Sequence, residues 1–309
     1  MLKISILKKS LVINYWNNLN HNIKGFIFIL IASATFPIMG TIIKYLTIEL
    51  HPFQVAFFRC FFGFLIILPL IIKNKPFTII KTNRFSMHLL RGLFGIGAIM
   101  AGFSALSMMP LASAVTLGFT RILFLVPLAI IFLGEKPGQL RILLTFFGFI
   151  GVAIMINPNN SESVTVFAAT IALLGAFFVS CVKLTIKSLS NDQATLTIQF
   201  YYGIISTIGL LIPCFLFWKN MNLYQIFLVL IAAICGTIAQ MLTIWGLRLG
   251  AATIVMPADY TRLIFATFYG YLIFYEIPIL NEILGAIVIV ISTLVIILLP
   301  KVSKKYKNL

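Results

Sequence analysis

Two stretches decide the fold: TRILFLVPLAIIFLGEKP, from Thr120 to Pro137, and TRLIFATFYGYLIFYEIP, from Thr261 to Pro278. In each, an apolar run separates a Thr-Arg pair from a Glu-x-Pro turn. The Thr, the Arg, the Glu and the Pro all coincide at an offset of 141 residues. Because self-similarity at a fixed offset indicates an internal repeat, the chain is predicted to consist of two related halves.

The overall composition indicates an integral membrane protein. Of the 309 residues, 61% are hydrophobic and only 10% are charged, against about 45–50% and about 25% in soluble domains. So few charges could not cover the surface of a water-soluble globule, and disordered, collagen-like, coiled-coil and disulfide-stapled classes are excluded on the same grounds. The formal net charge of +16 does not indicate nucleic-acid binding, because most basic residues lie in short runs between apolar stretches.

Ten apolar stretches are long enough to span a bilayer. A helix needs about 20 predominantly apolar residues to cross a hydrocarbon core of roughly 30 Å. The connections between these stretches are short and leave no room for a soluble domain. The predicted spans are 25–46, 53–72, 87–108, 111–133, 140–156, 164–186, 195–217, 223–246, 251–274 and 280–299.

The basic residues sort by side when the N-terminus is placed in the cytoplasm and the spans alternate. Sixteen of the 23 Lys and Arg then lie in cytoplasmic segments, one (Lys219) lies on the opposite side, and six fall within spans. This bias agrees with the positive-inside rule. Both termini are therefore predicted to be cytoplasmic.

Each half holds five spans, so the second half must enter the membrane from the opposite side. We therefore predict an all-α integral membrane fold with ten transmembrane helices arranged as two inverted five-helix repeats. Such repeats place a binding site near the bilayer midplane, between halves that rock to expose it alternately. The predicted divisions are a basic tail at 1–24, a first repeat at 25–156, a second repeat at 164–299 and a basic tail at 300–309.

Two arginines and one aspartate are predicted to lie deep in the membrane. Arg121 and Arg262 fall near the middle of their spans, whereas the other four intramembrane cations lie near enough to span ends to snorkel. Asp259 is three residues before Arg262 and shares its helical face, but Gly118 occupies the equivalent position before Arg121. One cation is thus left over, and an anionic group of a substrate would complete the site. A purely structural ion pair is the alternative. The four snorkelling residues are Lys44, Arg59, Arg91 and Lys183.

Aromatic and polar side chains near these charges could line the same cavity, as in most small-molecule sites. With Arg121, Arg262 and Asp259, they complete the candidate substrate-binding set. They are Phe36, Phe119, Gln240, Trp245 and Tyr260.

The Glu-x-Pro turns have a structural explanation. Pro137 and Pro278 suit the first turn of a helix, where a missing N–H is tolerated. Glu135 and Glu276 are then expected near the positive end of the dipole of the helix that follows.

Motifs for enzymatic chemistry are missing from the sequence. It contains no P-loop, nucleophile elbow or HExxH motif, so transport would be driven by a gradient or by exchange. The three histidines lie at predicted span ends and the four cysteines are scattered, so we expect no metal site and no cofactor. An intramembrane enzyme and a passive channel are the alternative classes, but the titratable groups are dispersed, and an inverted repeat with a deep charged site favours a carrier.

The stretches LHPFQVAFFRCFFG (Leu50 to Gly63), FSALSMMPLASAVTL (Phe103 to Leu117) and GTIAQMLTIWGLRLG (Gly236 to Gly250), together with the second repeat stretch, resemble the drug/metabolite transporter superfamily and its EamA-like domain members. The resemblance covers residues 25–299. The superfamily includes exporters of amino acids and related metabolites, riboflavin importers and S-adenosylmethionine uptake carriers, and LHPFQVAFFRCFF looks most like the last group. One departure is Thr120-Arg121, where many relatives have a less polar pair.

The resemblance implies a secondary transporter in a bacterial inner membrane, working by alternating access on a small zwitterionic or anionic metabolite. S-adenosylmethionine suits two arginines and one aspartate, whereas riboflavin, which lacks a carboxylate, suits them less well. An amino-acid exporter or a riboflavin importer is the alternative within the superfamily. The lipid bilayer is the other expected partner. The direction of transport, the coupling ion and a homo-oligomeric state stay open.

Overall fold

The computed structural model describes residues 19–73, 81–133, 138–155, 164–189, 192–249 and 256–299. The first Glu-x-Pro turn, with Glu135 and Pro137, and most of both predicted tails lie outside these ranges. Within them every regular element is helical.

The described ranges form eleven α-helices and one 3-10 helix. The helices are α1 His21–Leu46, α2 Pro52–Lys73, α3 Phe85–Met108, α4 Leu111–Phe119, α5 Arg121–Leu133, α6 Gln139–Met155, α7 Val166–Leu189, α8 Thr195–Leu216, α9 Leu223–Leu249, the 3-10 helix Met256–Tyr260, α10 Thr261–Phe274 and α11 Leu280–Leu298. Counting α4 with α5, and the 3-10 helix with α10, these elements fall on the ten predicted spans. Seven spans are long and apolar enough to cross a membrane by length and composition, and α6 and α11 are shorter apolar helices.

The fourth and ninth spans are each interrupted beside the Thr-Arg pair. Thr120 separates α4 from α5 with a backbone near the helical region (φ −59°, ψ −14°), and its N–H and hydroxyl both donate to Leu117 O, at 3.0 and 2.6 Å. In the second half, the 3-10 helix ends at Tyr260, directly before Thr261. Broken helices of this kind expose backbone groups at the binding sites of transporters.

The packed helices enclose two large apolar cores. One core joins α4, α5, α6, α7 and α11 and includes Leu117, Phe119 and Ile289. The other joins α1, α2, α3, α8 and α9 and includes Ile43 and Val55. Outside these cores many large apolar side chains are exposed, as expected for helices that face lipid.

Close helix packing depends on small residues where α6 meets α11. A Cβ at Gly285 would lie 2.6 Å from the carbonyl oxygen of Gly151 and 2.7 Å from Cβ of Met155. Only glycine permits this approach, which agrees with the role of small residues at intramembrane helix contacts.

Glu276 contacts a helix N-terminus, but not that of the helix that follows it. Its carboxylate accepts a hydrogen bond from the Leu111 N–H at the start of α4 (2.8 Å) and forms an ion pair with Lys44. The observed hydrogen bond therefore caps α4, and the expectation that Glu276 lies near the start of α11 stays a prediction. At the turn before it, a left-handed conformation of Tyr275 (φ 58°) ends α10, and the Glu276 N–H bonds back to Gly270 O at 3.2 Å.

Candidate functional site

Asp259 lies between the two deep arginines and contacts both. Its Oδ2 is 2.7 Å from Arg121 Nη2, and its Oδ1 is 2.6 Å from Arg262 Nη2. Ser33 of α1 donates its hydroxyl to the same Oδ1 at 3.1 Å. Arg121, Asp259 and Arg262, which we call the charged triad, therefore join the first half of the chain to the second through a buried carboxylate.

The interruptions of the two spans position this triad. Arg121 is the first residue of α5, and its Nη1 donates to Gly118 O on the other side of the break (2.9 Å). Asp259 lies in the 3-10 helix, and Ser180 of α7 donates its hydroxyl to Arg121 O at 2.6 Å. Side chains thus satisfy backbone groups next to the break, as the dry interior of a membrane protein requires.

Aromatic rings enclose the triad. The rings of Phe119 and Tyr260 stack with centroids 4.7 Å apart, and the Arg121 guanidinium lies 4.9 Å from the Phe119 centroid. The Arg262 guanidinium lies 4.2 Å from the Phe36 centroid. These distances are within the range of cation–π attraction, so the rings stabilise both positive charges.

The hydroxyl of Tyr260 is held away from the carboxylate. It donates to Thr293 Oγ1 of α11 at 2.6 Å. Tyr260 therefore presents its ring to the triad and its hydroxyl to the core.

The triad has a net positive charge even though both arginines are paired. As predicted from Gly118, Arg121 has no local acid in its own repeat, and Asp259 of the second half is its partner. Lys183, predicted to snorkel, is instead close enough to interact electrostatically with Asp259 and both arginines. In addition, Arg262 Nε is buried and has no acceptor among the described residues. The site can therefore attract an anionic group.

Two predicted site residues lie apart from the triad. Trp245 is 43% exposed, and its ring contacts Phe28 edge-on at a centroid distance of 6.0 Å. Gln240 accepts a long hydrogen bond from Gln199 Nε2 (3.4 Å) and lines a separate cavity beside Arg59. The structure thus brings six of the eight predicted residues together.

Arg59 and Arg91 were predicted to snorkel, and the structure shows that they do not. Both are buried, with 5% and 6% of their surface exposed, and the Arg91 guanidinium stacks on the Tyr202 ring at 4.1 Å. Their distance from the span ends suggested a route to the bilayer surface, but these side chains point between helices. Gly95, one turn after Arg91, is the sequence signal that could have indicated room for an inward-pointing guanidinium.

The described side chains do not form a cluster of metal ligands. In the part of the chain that the structure describes, no three His, Cys, Asp or Glu side chains are grouped closely enough to hold a metal ion. The charged and aromatic groups around the triad are instead suited to binding an organic ion.

Comparison with known proteins identifies relatives over nearly the whole chain. The sequence profile of the EamA-like transporter family matches residues 23–157 and again residues 166–298. An S-adenosylmethionine uptake transporter of Rickettsia bellii (strain RML369-C) is 29% identical over 91% of this chain and 95% of its own length. A solved crystal structure of a protein superposes with a TM-score of 0.61 over 90% of this chain and 96% of that one; at 15% identity it supports the fold alone.

Relatives that are named for other substrates are almost as similar. The pseudopaline exporter CntI of Pseudomonas aeruginosa (strain UCBPP-PA14) is 26% identical over 87% of this chain and 94% of its own. A riboflavin transporter of Vibrio cholerae serotype O1 is 27% identical over 88% of this chain and 92% of its own. The comparisons therefore agree on transport and differ in substrate.

Proposed function

Because the chain belongs to the EamA-like transporter family, we propose that it is a secondary carrier that moves a zwitterionic metabolite across a bacterial inner membrane by alternating access. S-adenosylmethionine, taken up or exchanged, is the substrate that we propose. The observation that carries this proposal is the charged triad, in which one carboxylate from the second half binds a guanidinium from the first.

The triad offers partners for both charges of a zwitterion. A substrate carboxylate can replace Asp259 on Arg121 or Arg262, and a substrate ammonium group can then bind the Asp259 carboxylate. Each ion pair of the triad that is lost is replaced by a new one, so binding of the ammonium and carboxylate groups leaves no charge of the triad without a partner, which would be strongly unfavourable. Phe119, Tyr260 and Phe36 would supply aromatic surface for the rest of the molecule.

The helix contacts support two inverted repeats at 25–156 and 164–299. If each span of the first half corresponds to the equivalent span of the second, a contact between two helices should have a counterpart with the halves exchanged. The pair α1–α9 then corresponds to α3–α7, α1–α10 to α5–α7, and α2–α9 to α3–α8. All six pairs are in contact. The pairs α2–α8 and α6–α11 correspond to themselves and are also in contact. An approximate two-fold axis would produce this pattern, and five spans in each half would place that axis in the membrane plane.

The distribution of basic residues supports cytoplasmic termini. With that orientation, the ion pair between Lys44 and Glu276 closes the opposite face, where α1, α10 and the start of α4 meet.

The cavity beside Arg59 has a volume of about 10 Å³, which is room for about one water molecule. A metabolite would fit beside Arg59 only after the neighbouring helices separate.

Counterflow tests the proposal. Purified protein in liposomes preloaded with one unlabelled compound would be tested for trapping of the same labelled compound, with S-adenosylmethionine, riboflavin and a set of amino acids in separate samples. We expect trapping of S-adenosylmethionine that needs the same compound inside. Trapping of riboflavin or amino acids alone would support a carrier but contradict S-adenosylmethionine as its substrate. No trapping with any compound would favour an enzyme or a channel.

A further inference from the structure

A second pair of buried arginines lies between α2, α3, α8 and α9. The side chains of Arg59 and Arg91 both carry guanidinium groups, which are cations in proteins, and they lie close enough to interact electrostatically with each other. None of the carboxylates that the structure describes forms a salt bridge with either of them. The described ion pairs use other residues: Lys44 with Glu276, Arg84 with Asp192, and Arg121 and Arg262 with Asp259.

Both guanidinium groups have donors without acceptors. Arg59 Nε and Arg91 Nε and Nη1 are buried and donate to no acceptor among the described residues, and the hydroxyl of Ser206, one turn after Tyr202, also has no described hydrogen-bond partner. Buried donors are nearly always paired in native proteins. Several such donors on two adjacent cations therefore point to a missing anionic acceptor.

Glycines on the neighbouring helices make room for these charges. A Cβ at Gly236 of α9 would lie 2.6 Å from Arg59 Nη2, and a Cβ at Gly95 of α3 would lie 2.7 Å from Arg91 Nη1. Any larger residue would displace the guanidinium groups. The surrounding helices thus accommodate two arginines that no described side chain neutralises.

Polar side chains line part of the space next to Arg59, beside apolar ones such as Phe64 and Ile67. Gln199, Thr237 and Gln240 line the same small cavity, and the Tyr202 ring covers the Arg91 guanidinium at 4.1 Å. Planar guanidinium groups bind carboxylates through paired hydrogen bonds, and amide side chains can complete the coordination of the carboxylate oxygens. The cavity would admit such a group once α2 and α8 separate.

We propose that Arg59 and Arg91 form an anion-binding site, distinct from the triad, that takes the carboxylate of the carried metabolite. This proposal rests on the proposed function. The arginines of the triad already share Asp259, whereas Arg59 and Arg91 have no carboxylate to displace, so a substrate carboxylate binds here without breaking an ion pair. In this refinement the carboxylate binds Arg59 and Arg91 in place of the triad arginines, and the triad provides Asp259 for the positive end of the substrate.

The site can be tested without transport, with acetate as the probe. Thermal unfolding of the purified full-length protein would be followed while acetate replaces chloride at constant ionic strength, because a ligand of the folded state raises the unfolding temperature. We expect a saturable rise for the wild type and for Arg84→Gln, a basic residue paired with Asp192 at the protein surface. Arg59→Gln and Arg91→Gln should lose the response.

Conservative variants distinguish loss of the anion site from a folding defect. Arg59→Lys and Arg91→Lys keep the positive charge and should retain part of the acetate response. A response in Arg59→Gln and Arg91→Gln equal to that of the wild type overturns the site, and so does the absence of any response in the wild type.

A second measurement links the site to the substrate. Competition against trapping of labelled S-adenosylmethionine would compare the unlabelled compound with its decarboxylated analogue, which lacks only the carboxylate. We expect the wild type to prefer the carboxylated compound at least tenfold, and Arg59→Gln to bring this ratio close to one while affinity for the analogue is unchanged. An unchanged preference in Arg59→Gln overturns the proposal. If the wild type traps no S-adenosylmethionine, the proposed substrate fails, and the acetate experiment alone decides the anion site.

Discussion

The carboxylate of Asp259, just before α10, lies 2.7 Å from the guanidinium of Arg121, at the start of α5. These residues are far apart in the chain and belong to different halves. Since Arg262 contacts the other oxygen of the same carboxylate, Asp259 holds both interrupted spans together. Breaking this contact should therefore affect both the stability of the closed structure and the handling of a charged substrate.

Asp259→Asn should be strongly destabilising, because it leaves two buried guanidinium groups without a counter-charge. Loss of one partner of a buried ion pair costs about 3–5 kcal/mol. Adding Arg121→Gln to Asp259→Asn should restore part of this loss, because the double variant contains one unpaired cation fewer. Thermal unfolding of the two single variants and the double variant measures the coupling, and strictly additive effects would contradict the contact.

Tyr260→Phe should have a modest effect, since the Tyr260 hydroxyl contacts Thr293 and not the triad. Loss of this hydrogen bond is expected to reduce the free energy of unfolding by about 0.5–1.5 kcal/mol, with transport retained because the ring still stacks on Phe119. Tyr224→Phe is the matched control, because Tyr224 is exposed. A complete loss of transport in Tyr260→Phe at normal stability would show that the hydroxyl itself acts on the substrate.

Substitutions at Glu276 should separate its two roles. Glu276→Gln keeps an oxygen that can accept from the Leu111 N–H but loses the charge that pairs with Lys44. Glu276→Leu loses both, and the absence of a cap at a helix N-terminus adds about 0.5–2 kcal/mol of destabilisation. The unfolding temperature should therefore be highest for the wild type, lower for Glu276→Gln and lowest for Glu276→Leu. Equal stability of the two variants would mean that the cap is unimportant.

Two glycines should respond oppositely to alanine. At Gly285 the new Cβ would meet the Gly151 carbonyl at 2.6 Å, and overpacking of this kind typically costs about 1–3 kcal/mol. Gly102 lies within α3, where a Cβ would meet nothing within 4 Å. Because alanine favours helix by up to about 1 kcal/mol over glycine, Gly102→Ala should be neutral or stabilising. Thermal unfolding of both variants in the same detergent measures the two effects. Destabilisation of Gly102→Ala equal to that of Gly285→Ala would contradict the described packing at these two glycines.

Much of the fold could be predicted from the sequence because hydrophobic length and basic-residue bias are local properties. The ten spans fall on the helices of the structure, and the repeat at an offset of 141 residues identified Arg121 and Arg262 as equivalent. That equivalence located the centre of the candidate site before any contact was known.

The contacts between elements could not be predicted in the same way. The pairing of Asp259 with Arg121 depends on how α5 packs near the 3-10 helix, and the capping of α4 by Glu276 depends on the left-handed turn at Tyr275. The burial of Arg59 and Arg91 was missed for a related reason. The distance of a residue from a helix end limits how far its side chain can reach, but packing between helices decides its direction.

The most direct measurement is counterflow of labelled S-adenosylmethionine in liposomes that contain the wild type, Arg121→Ala or Arg84→Ala, with the amount of folded protein measured in each sample. A carrier with its site at the triad predicts trapping by the wild type and by Arg84→Ala, and none by Arg121→Ala at an equal amount of folded protein. Trapping per folded molecule that is unchanged in Arg121→Ala would contradict the site.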